Sequence, residues 1–236
     1  MPDAMKNILF PVIFLAVAAG LSPGASPPVM TRAQQEALTP RDALSRLKEG
    51  NDRFVAGHPA RKNLIEEARM TAAGQYPFAA IVCCLDSRAA PELIFDQGIG
   101  DVFCARVAGN VLNNDILGSL EYACKVAGAK LIVVVGHRSC GAVKGAVDRV
   151  RLGKLTGLLA QIEPAVTAAM REVGGGRSSH NSALVDRAAL DNVILQMRAI
   201  PRKSKILKSL LDSGQIAIIG AFHDLRTGRV TFLGSD

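Results

Sequence analysis

An α/β fold, with a mostly parallel central β-sheet flanked by helices, is what this sequence predicts, and three features carry that expectation. Two near-continuous apolar runs, FAAIVC at 78–83 and KLIVVVG at 130–136, have the composition of strands buried on both faces. Between them lie a second strand-like run, VFCARV at 102–107, and a helical stretch; strand, crossover helix and strand in that order argue for parallel pairing. Each long run is followed at once by a cluster of chemically active side chains, CLDSR at 84–88 and HRSC at 137–140, and the ends of strands are where open α/β sheets place their sites.

The amino terminus differs from the rest. Lys6 precedes the apolar run at 8–21, and Ala16, Val17 and Ala18 form a small-residue cleavage signal, so residues 1–20 read as a secretory signal peptide. That points to the periplasm or the outside of the cell, with no stable membrane span once the signal is removed. The alternative is a cytoplasmic chain or one tethered by an uncleaved anchor, since the run is near the lower length limit of a span and contains Pro11. Residues 21–38, rich in Pro, Ser, Gly and Ala, read as a flexible leader, and 39–236 as a single domain with no internal linker.

Within that domain Thr39 caps a helix that has Pro40 in its first turn and Leu44, Leu47 and Phe54 on its apolar side. A second helical stretch covers 61–73, and the first strand follows the GQYPF turn. A loop with a short helix spans 88–99 before the strand at 102–107. The next helix follows the turn residues of AGNVLNN and turns Ile116, Leu120, Ala123 and Ala127 to the sheet. After the strand at 130–136 come helices at 141–150, 155–173 and 180–199, the last two separated by GGGRSS, and another at 204–213 that Gly214 stops. The closing segment has two β-like runs around DLRTG, which suggests a hairpin or edge pair.

Composition narrows the function. There is no Trp, there are only two Tyr, and the net charge of +7 is dispersed among acids, so the chain lacks both the stacking surface and the dense basic run that nucleic-acid binding uses. Five cysteines form an odd set with no regular framework, which favours buried thiols over bridges, and no CxxC supports redox chemistry.

Cys84, Asp86, His137 and Cys140 supply two thiolates, an imidazole and a carboxylate, the donor types and the tetrahedral count that zinc prefers. Cys84 and Asp86, two apart, share one side of an extended segment, and His137 and Cys140 can bend round one ion in a strand-to-helix turn. If all four bind, the ion is closed and structural. Arg88 offers the other possibility, because its guanidinium can take Asp86 in a bidentate pair and open a position for a water that zinc brings to ionisation near neutral pH. Residue spacing leaves both open.

The motifs CLDSR at 84–88, FCARVAGN at 103–110, SLEYA at 119–123, GHRSCGAV at 136–143 and GAFHDLRTGRVTFL at 220–233 closely resemble those of the β-class carbonic anhydrases, and the resemblance runs over about 40–234. It implies reversible hydration of carbon dioxide to bicarbonate and a proton by zinc-bound hydroxide, with one Zn2+ per subunit on Cys84, His137 and Cys140. Asp86 then either completes the shell or pairs with Arg88 in the active form, which makes both catalytic candidates. The resemblance also places Gln75 of GQYP, Phe103 and Tyr122 on the substrate side, sets Arg106, Gly109 and Asn110 beside the site as loop architecture, and implies a homodimer or tetramer. Two positions depart from the usual pattern, Cys104 and His223; His223 reads either as a proton shuttle or as a packed histidine. Two other functions share these residues: attack on another small heterocumulene such as carbon disulfide, and a bicarbonate-binding or scaffold protein with Asp86 locked on the metal.

Overall fold

The computed structural model describes residues 29–60 and 62–234. The signal peptide read over residues 1–20, and the leader as far as residue 28, lie outside the described residues.

The leader gives way to structure before residue 38. Thr31 opens helix α1 (Arg32–Ala37) through a reciprocal capping box with Gln34, and Gln35 is buried beneath it. Local capping and one buried amide hold this turn and a half, with no apolar stripe for periodicity to reveal. Helix α2 (Pro40–Val55) starts as expected, with the Thr39 hydroxyl accepting from the Asp42 N–H and Pro40 in the first turn. Ala43 and Leu47 face the core from it, whereas Phe54 at its far end lies over Gly228. Helix α3 (Leu64–Thr71) is shorter than the stretch expected, because Asn63 caps it and the Thr71 hydroxyl turns back to the Glu67 carbonyl.

Strand β1 (Ala79–Cys83), the short helix α4 (Pro91–Ile94) and strand β2 (Val102–Arg106) follow, then helix α5 (Asn114–Glu121). Helix α5 runs into a wider π-type turn, Tyr122–Val126, closed by the Ala127 N–H on the Tyr122 carbonyl at 2.9 Å. The extra residue in this turn breaks the 3.6-residue period. Ala123 and Cys124 are consequently both buried although adjacent, and Ala127, expected to face the sheet, is only half-buried. Strand β3 (Leu131–His137) and helix α6 (Gly141–Val147) come next. The helix expected over 155–173 is two, α7 (Leu155–Ala160) and α8 (Glu163–Val173), because Pro164 belongs in a first turn and cannot donate to the turn before it. Helices α9 (Ser182–Lys203) and α10 (Lys205–Asp212) lead to the terminal hairpin of β4 (Ala217–His223) and β5 (Val230–Leu233).

The sheet order is β2-β1-β3-β4-β5, parallel except for the β4–β5 pair. Strands β1 and β3 are buried along their whole length, as their unbroken apolar composition requires, whereas β2 is a partly exposed edge. Alternation then divides the core. Ala80, Val82, Ile132 and Val134 meet Leu117 and Leu120 of α5 and Val193 and Ile200 of α9. Ile81, Cys83, Val133 and Val135 meet Ala43 and Leu47 of α2 and Phe95 after α4. A third cluster lies beyond the carboxyl ends of β1 and β3, where Cys84 and Cys140 pack with Val143, Ile162, Val166 and Leu184. The chemically active residues are therefore set against a dry wall. No helix among the described residues is long and apolar enough to cross a membrane.

Candidate metal centre

Strand β1 ends at Cys83, which points into the layer under α2, and the next residue, Cys84, turns to the opposite side. Because β1 and β3 pair directly, the end of β1 lies beside His137 at the end of β3 and Cys140 at the mouth of α6. The two sulfurs are 3.9 Å apart, and the donor atoms of Cys84, His137 and Cys140, all buried, lie within 4.8 Å of one another. All five cysteines are free thiols, as their spacing suggests.

The donor set fits zinc. His137 Nδ1 is 2.9 Å from the Arg138 carbonyl, which assigns the proton to Nδ1 and leaves a lone pair on Nε2. Nε2 is buried and has no hydrogen-bond partner. A buried nitrogen left without a donor is costly, and beside two thiols the group that satisfies it is a borderline divalent metal. The Cys140 thiol, hydrogen-bonded to Cys84, holds the Cys84 thiol below its ordinary range against the opposing effect of burial, and the Gly109 and Asp86 N–H groups reinforce this. Cys140 is pushed up by the same bond and by burial. These contacts favour the charged, metal-binding form of the Cys84 sulfur.

The Gly109 N–H donates to Cys84 Sγ at 3.3 Å. Gly109 has φ +66°, and a Cβ there would stand 2.5 Å from Ile162 Cδ1, so only glycine brings this N–H to the sulfur. Its carbonyl accepts from Asn192 Nδ2 at 2.7 Å; Asn192 Oδ1 accepts from Gln196 Nε2 at 3.1 Å, and Gln196 Oε1 accepts from the Leu112 N–H at 3.1 Å. Sequence reading missed Asn192 and Gln196. The signal was two amides four residues apart among the apolar positions of α9, buried groups that must find partners.

Asp86 stands beside this group and outside it. Arg88 takes both carboxylate oxygens, Nε to Oδ1 at 2.9 Å and Nη2 to Oδ2 at 2.8 Å, and the Arg88 N–H adds a third bond to Oδ1 at 3.0 Å. The guanidinium holds the carboxyl well below its usual range. Oδ2 remains 3.9 Å from His137 Nε2. Of the four ligand candidates the structure gathers three, and the fourth is engaged by Arg88 because the two side chains are close enough in sequence to form a fork-to-fork pair. Arg106 braces the same loop from β2, Nε to the Cys84 carbonyl at 3.3 Å and Nη2 to the Asp86 carbonyl at 2.6 Å. Arg138 joins Asp186 at 2.7 Å and Asp224 at 2.9 Å and so fixes the other ligand loop.

His223 is the register partner of His137 on β4, 2% exposed, with neither ring nitrogen bonded. Burial, then the neighbouring His137, pushes its pKa down to about 4. It is a packed neutral histidine cut off from water, which removes the shuttle reading.

The three substrate-side candidates lie elsewhere in the chain. Phe103 and Tyr122 meet edge to face, with centroids 6.2 Å apart, in a groove of about 800 Å³ between β2 and α5 that none of the three clustered ligands lines. Gln75 is exposed on the loop before β1, at the amino end of a strand whose carboxyl end carries Cys84. At about 3.3 Å per residue, the length of β1 separates it from the metal centre of its own chain.

A family model described as carbonic anhydrase matches residues 79–230, which include every residue of the centre. The chain belongs to the β-class carbonic anhydrase family. It is 38% identical over 196 residues to carbonic anhydrase 2 of Mycobacterium tuberculosis, covering 80% of this chain and 91% of that protein. Among solved structures it is similar to a β-carbonic anhydrase of Aspergillus fumigatus, with a TM-score of 0.64, 27% identity, and coverage of 82% of this chain and 90% of that one. It is also similar to a tetrameric β-carbonic anhydrase of Sordaria macrospora, with a TM-score of 0.63, 26% identity, and coverage of 70% and 85%. Membership brings carbonic anhydrase activity, the reversible hydration of carbon dioxide.

Asn192→Ala frees the Gly109 carbonyl and loosens the N–H held on Cys84. We expect affinity for a divalent metal to fall about 10- to 100-fold, measured by competition with a chelator, with the folded state checked by circular dichroism.

Proposed function

We propose that the carbonic anhydrase reaction runs here with one Zn2+ per subunit on Cys84, His137 and Cys140, with Asp86 held off the metal by Arg88 and serving the proton. The observation that carries this reading is the bidentate Asp86–Arg88 pair. Cys84, His137 and Cys140 would hold the ion, and zinc held there would supply the acidity that brings a water to ionisation near neutral pH. The remaining work belongs to the chain. Asp86, with its pKa depressed, stays ionised throughout the neutral range and presents Oδ2 as an acceptor on the side of His137 Nε2. Arg88 spans both carboxylate oxygens, so Asp86 cannot swing to the metal without breaking a charge-assisted pair. The apolar cluster around Cys140 and Val143 keeps bulk water from the donors and strengthens every charge interaction there. A locked scaffold needs Asp86 free to ligate, and the carbon disulfide reading has no observation of its own here.

A second copy completes the site in this reading. The Phe78 N–H donates to the Asp101 carbonyl just before β2, which puts the Gln75 loop at the amino end of this edge, while Arg106 at the carboxyl end touches the Asp86 loop. If two exposed β2 edges pair antiparallel about a two-fold axis, the amino end of each falls beside the carboxyl end of the other. Gln75, Phe103 and Tyr122 of one subunit then face the metal centre of its partner. The amide of Gln75 offers both a donor and an acceptor to a carbon dioxide or bicarbonate oxygen, and the two rings keep the approach apolar. The homodimer, or a tetramer built from it, is therefore the working unit. We also propose that residues 1–20 are removed on export, that 39–236 form one catalytic domain, and that the enzyme acts in the periplasm or outside the cell; the mass of the amino terminus of the isolated enzyme tests this, and an intact Met1 overturns it.

Stopped-flow carbon dioxide hydration, with zinc measured on the same sample, tests the central claim: turnover follows zinc content and disappears in Cys140→Ser, which loses the ion. Arg88→Ala keeps its zinc but loses about 100-fold in kcat, because Asp86 closes the shell; full activity in that variant refutes the open-site mechanism. Mixing Gln75→Ala with Cys140→Ser subunits tests the shared site. Mixed dimers carry one intact site built from two chains, so activity rises above that of either variant alone, whereas a site confined to one chain gives only the average.

A further inference from the structure

Helix α1 has no apolar face to hold it down; its one buried residue is Gln35. That amide does unusual duty for a glutamine, since Nε2 donates to the Pro77 carbonyl at 2.7 Å and to the Ala127 carbonyl at 2.8 Å. It joins the loop before β1 to the loop before β3. Room for it depends on Gly128, which has φ +84° and where a Cβ would stand 3.0 Å from Gln35 Oε1 and 3.3 Å from its Cδ. One turn earlier on the same face, the Arg32 guanidinium lies over the Tyr76 ring, 5.3 Å from its centroid.

The two groups so gripped, the Tyr76 ring and the Pro77 carbonyl, belong to the residues that directly follow Gln75. Downstream the chain is fixed by the sheet, the Phe78 N–H on the Asp101 carbonyl and the Phe78 carbonyl accepting from Lys130, each at 2.9 Å. Gln75 is exposed. Upstream the Gly74 N–H donates to the Thr71 carbonyl at 3.1 Å, so on the other side the direction of Gln75 depends on how residues 76 and 77 are held, and Pro77 can donate no backbone hydrogen bond to help. The contacts of α1 supply what the loop lacks.

We propose that α1 is a clamp that aims Gln75 at the substrate, with Gln35 and Arg32 as positioning residues that act through it. The proposal rests on the reading of Gln75 as the amide that holds carbon dioxide or bicarbonate. Releasing the clamp leaves Gln75 to be ordered by the substrate on each encounter, a cost that appears in binding more than in the chemical step.

The test compares Gln35→Met, which keeps length and removes both donors, and Arg32→Ala with Gln75→Ala and with the corresponding double variants, all as zinc-loaded full chains. We expect Gln35→Met to lower kcat/KM for carbon dioxide roughly tenfold, mainly through KM, with zinc content and oligomeric state unchanged. Arg32→Ala moves in the same direction by less. Adding either change to Gln75→Ala costs nothing further, because both act through the missing side chain. Wild-type kinetics in Gln35→Met and Arg32→Ala, or losses that add fully to that of an impaired Gln75→Ala, overturn the clamp. Wild-type kinetics in Gln75→Ala overturn the reading of Gln75 and the clamp with it. If Gln35→Met does not fold, the exposed Arg32→Ala and its double variant decide the matter by the same comparison.

Discussion

Cys84 and Cys140 are 56 residues apart in the chain and 3.9 Å apart at sulfur because β1 and β3 pair in parallel. That single pairing places the ends of both strands on the same side of the sheet, and each chain segment leaves its strand carrying half of the donor set. Parallel strands need a crossover, which β2, α5 and the π-type turn provide, and the crossover contributes the Gly109 N–H on its way past the Cys84 sulfur. Fold and site are thus the same event: the core that buries β1 and β3 is what gathers the ligands.

Charge is managed around the centre by short, directional contacts. The sulfur of Cys84 is met by the Cys140 sulfur and the Gly109 N–H, and the carboxylate of Asp86 by a guanidinium and a further N–H. Each group has its own partners, the Cys84 sulfur in a buried setting and the Asp86 carboxylate against the exposed Arg88. The amides of Asn192 and Gln196 extend this order into α9, so a helix that supplies no candidate ligand still fixes the geometry of one. Such amide ladders are worth having in a core only when every member is satisfied, and this one is continued to the Leu112 N–H.

The mostly parallel sheet, its central strands and the residues Cys84, His137 and Cys140 were legible in the sequence, because unbroken apolar runs and donor types at strand ends are strong local signals, whereas the strand order β2-β1-β3 was not. The terminal hairpin was legible for the same reason. What escaped depends on contacts between distant segments. Nothing local says that Gln35 will reach Pro77 and Ala127, that the turn after Glu121 takes an extra residue, or that Pro164 divides one helical pattern in two. Gln75, Phe103 and Tyr122 show the limit most clearly: motif resemblance assigns them to the substrate, but only the topology reveals that β1 holds Gln75 away from its own chain's metal centre.

Adjacent thiols at the end of β1 carry one more implication. Cys83 and Cys84 face opposite layers, so a one-residue slip of β1 against β3 exchanges which of them meets His137 and Cys140. The slipped arrangement still offers a thiol, but it turns Asp86 away from Arg88's present position, lifts Gly109 off the sulfur and sends Ile81 into the wrong layer. The pairing that buries Ile81 in its own layer is therefore also the one that presents Cys84, and not Cys83, to His137 and Cys140, so core packing selects the thiol.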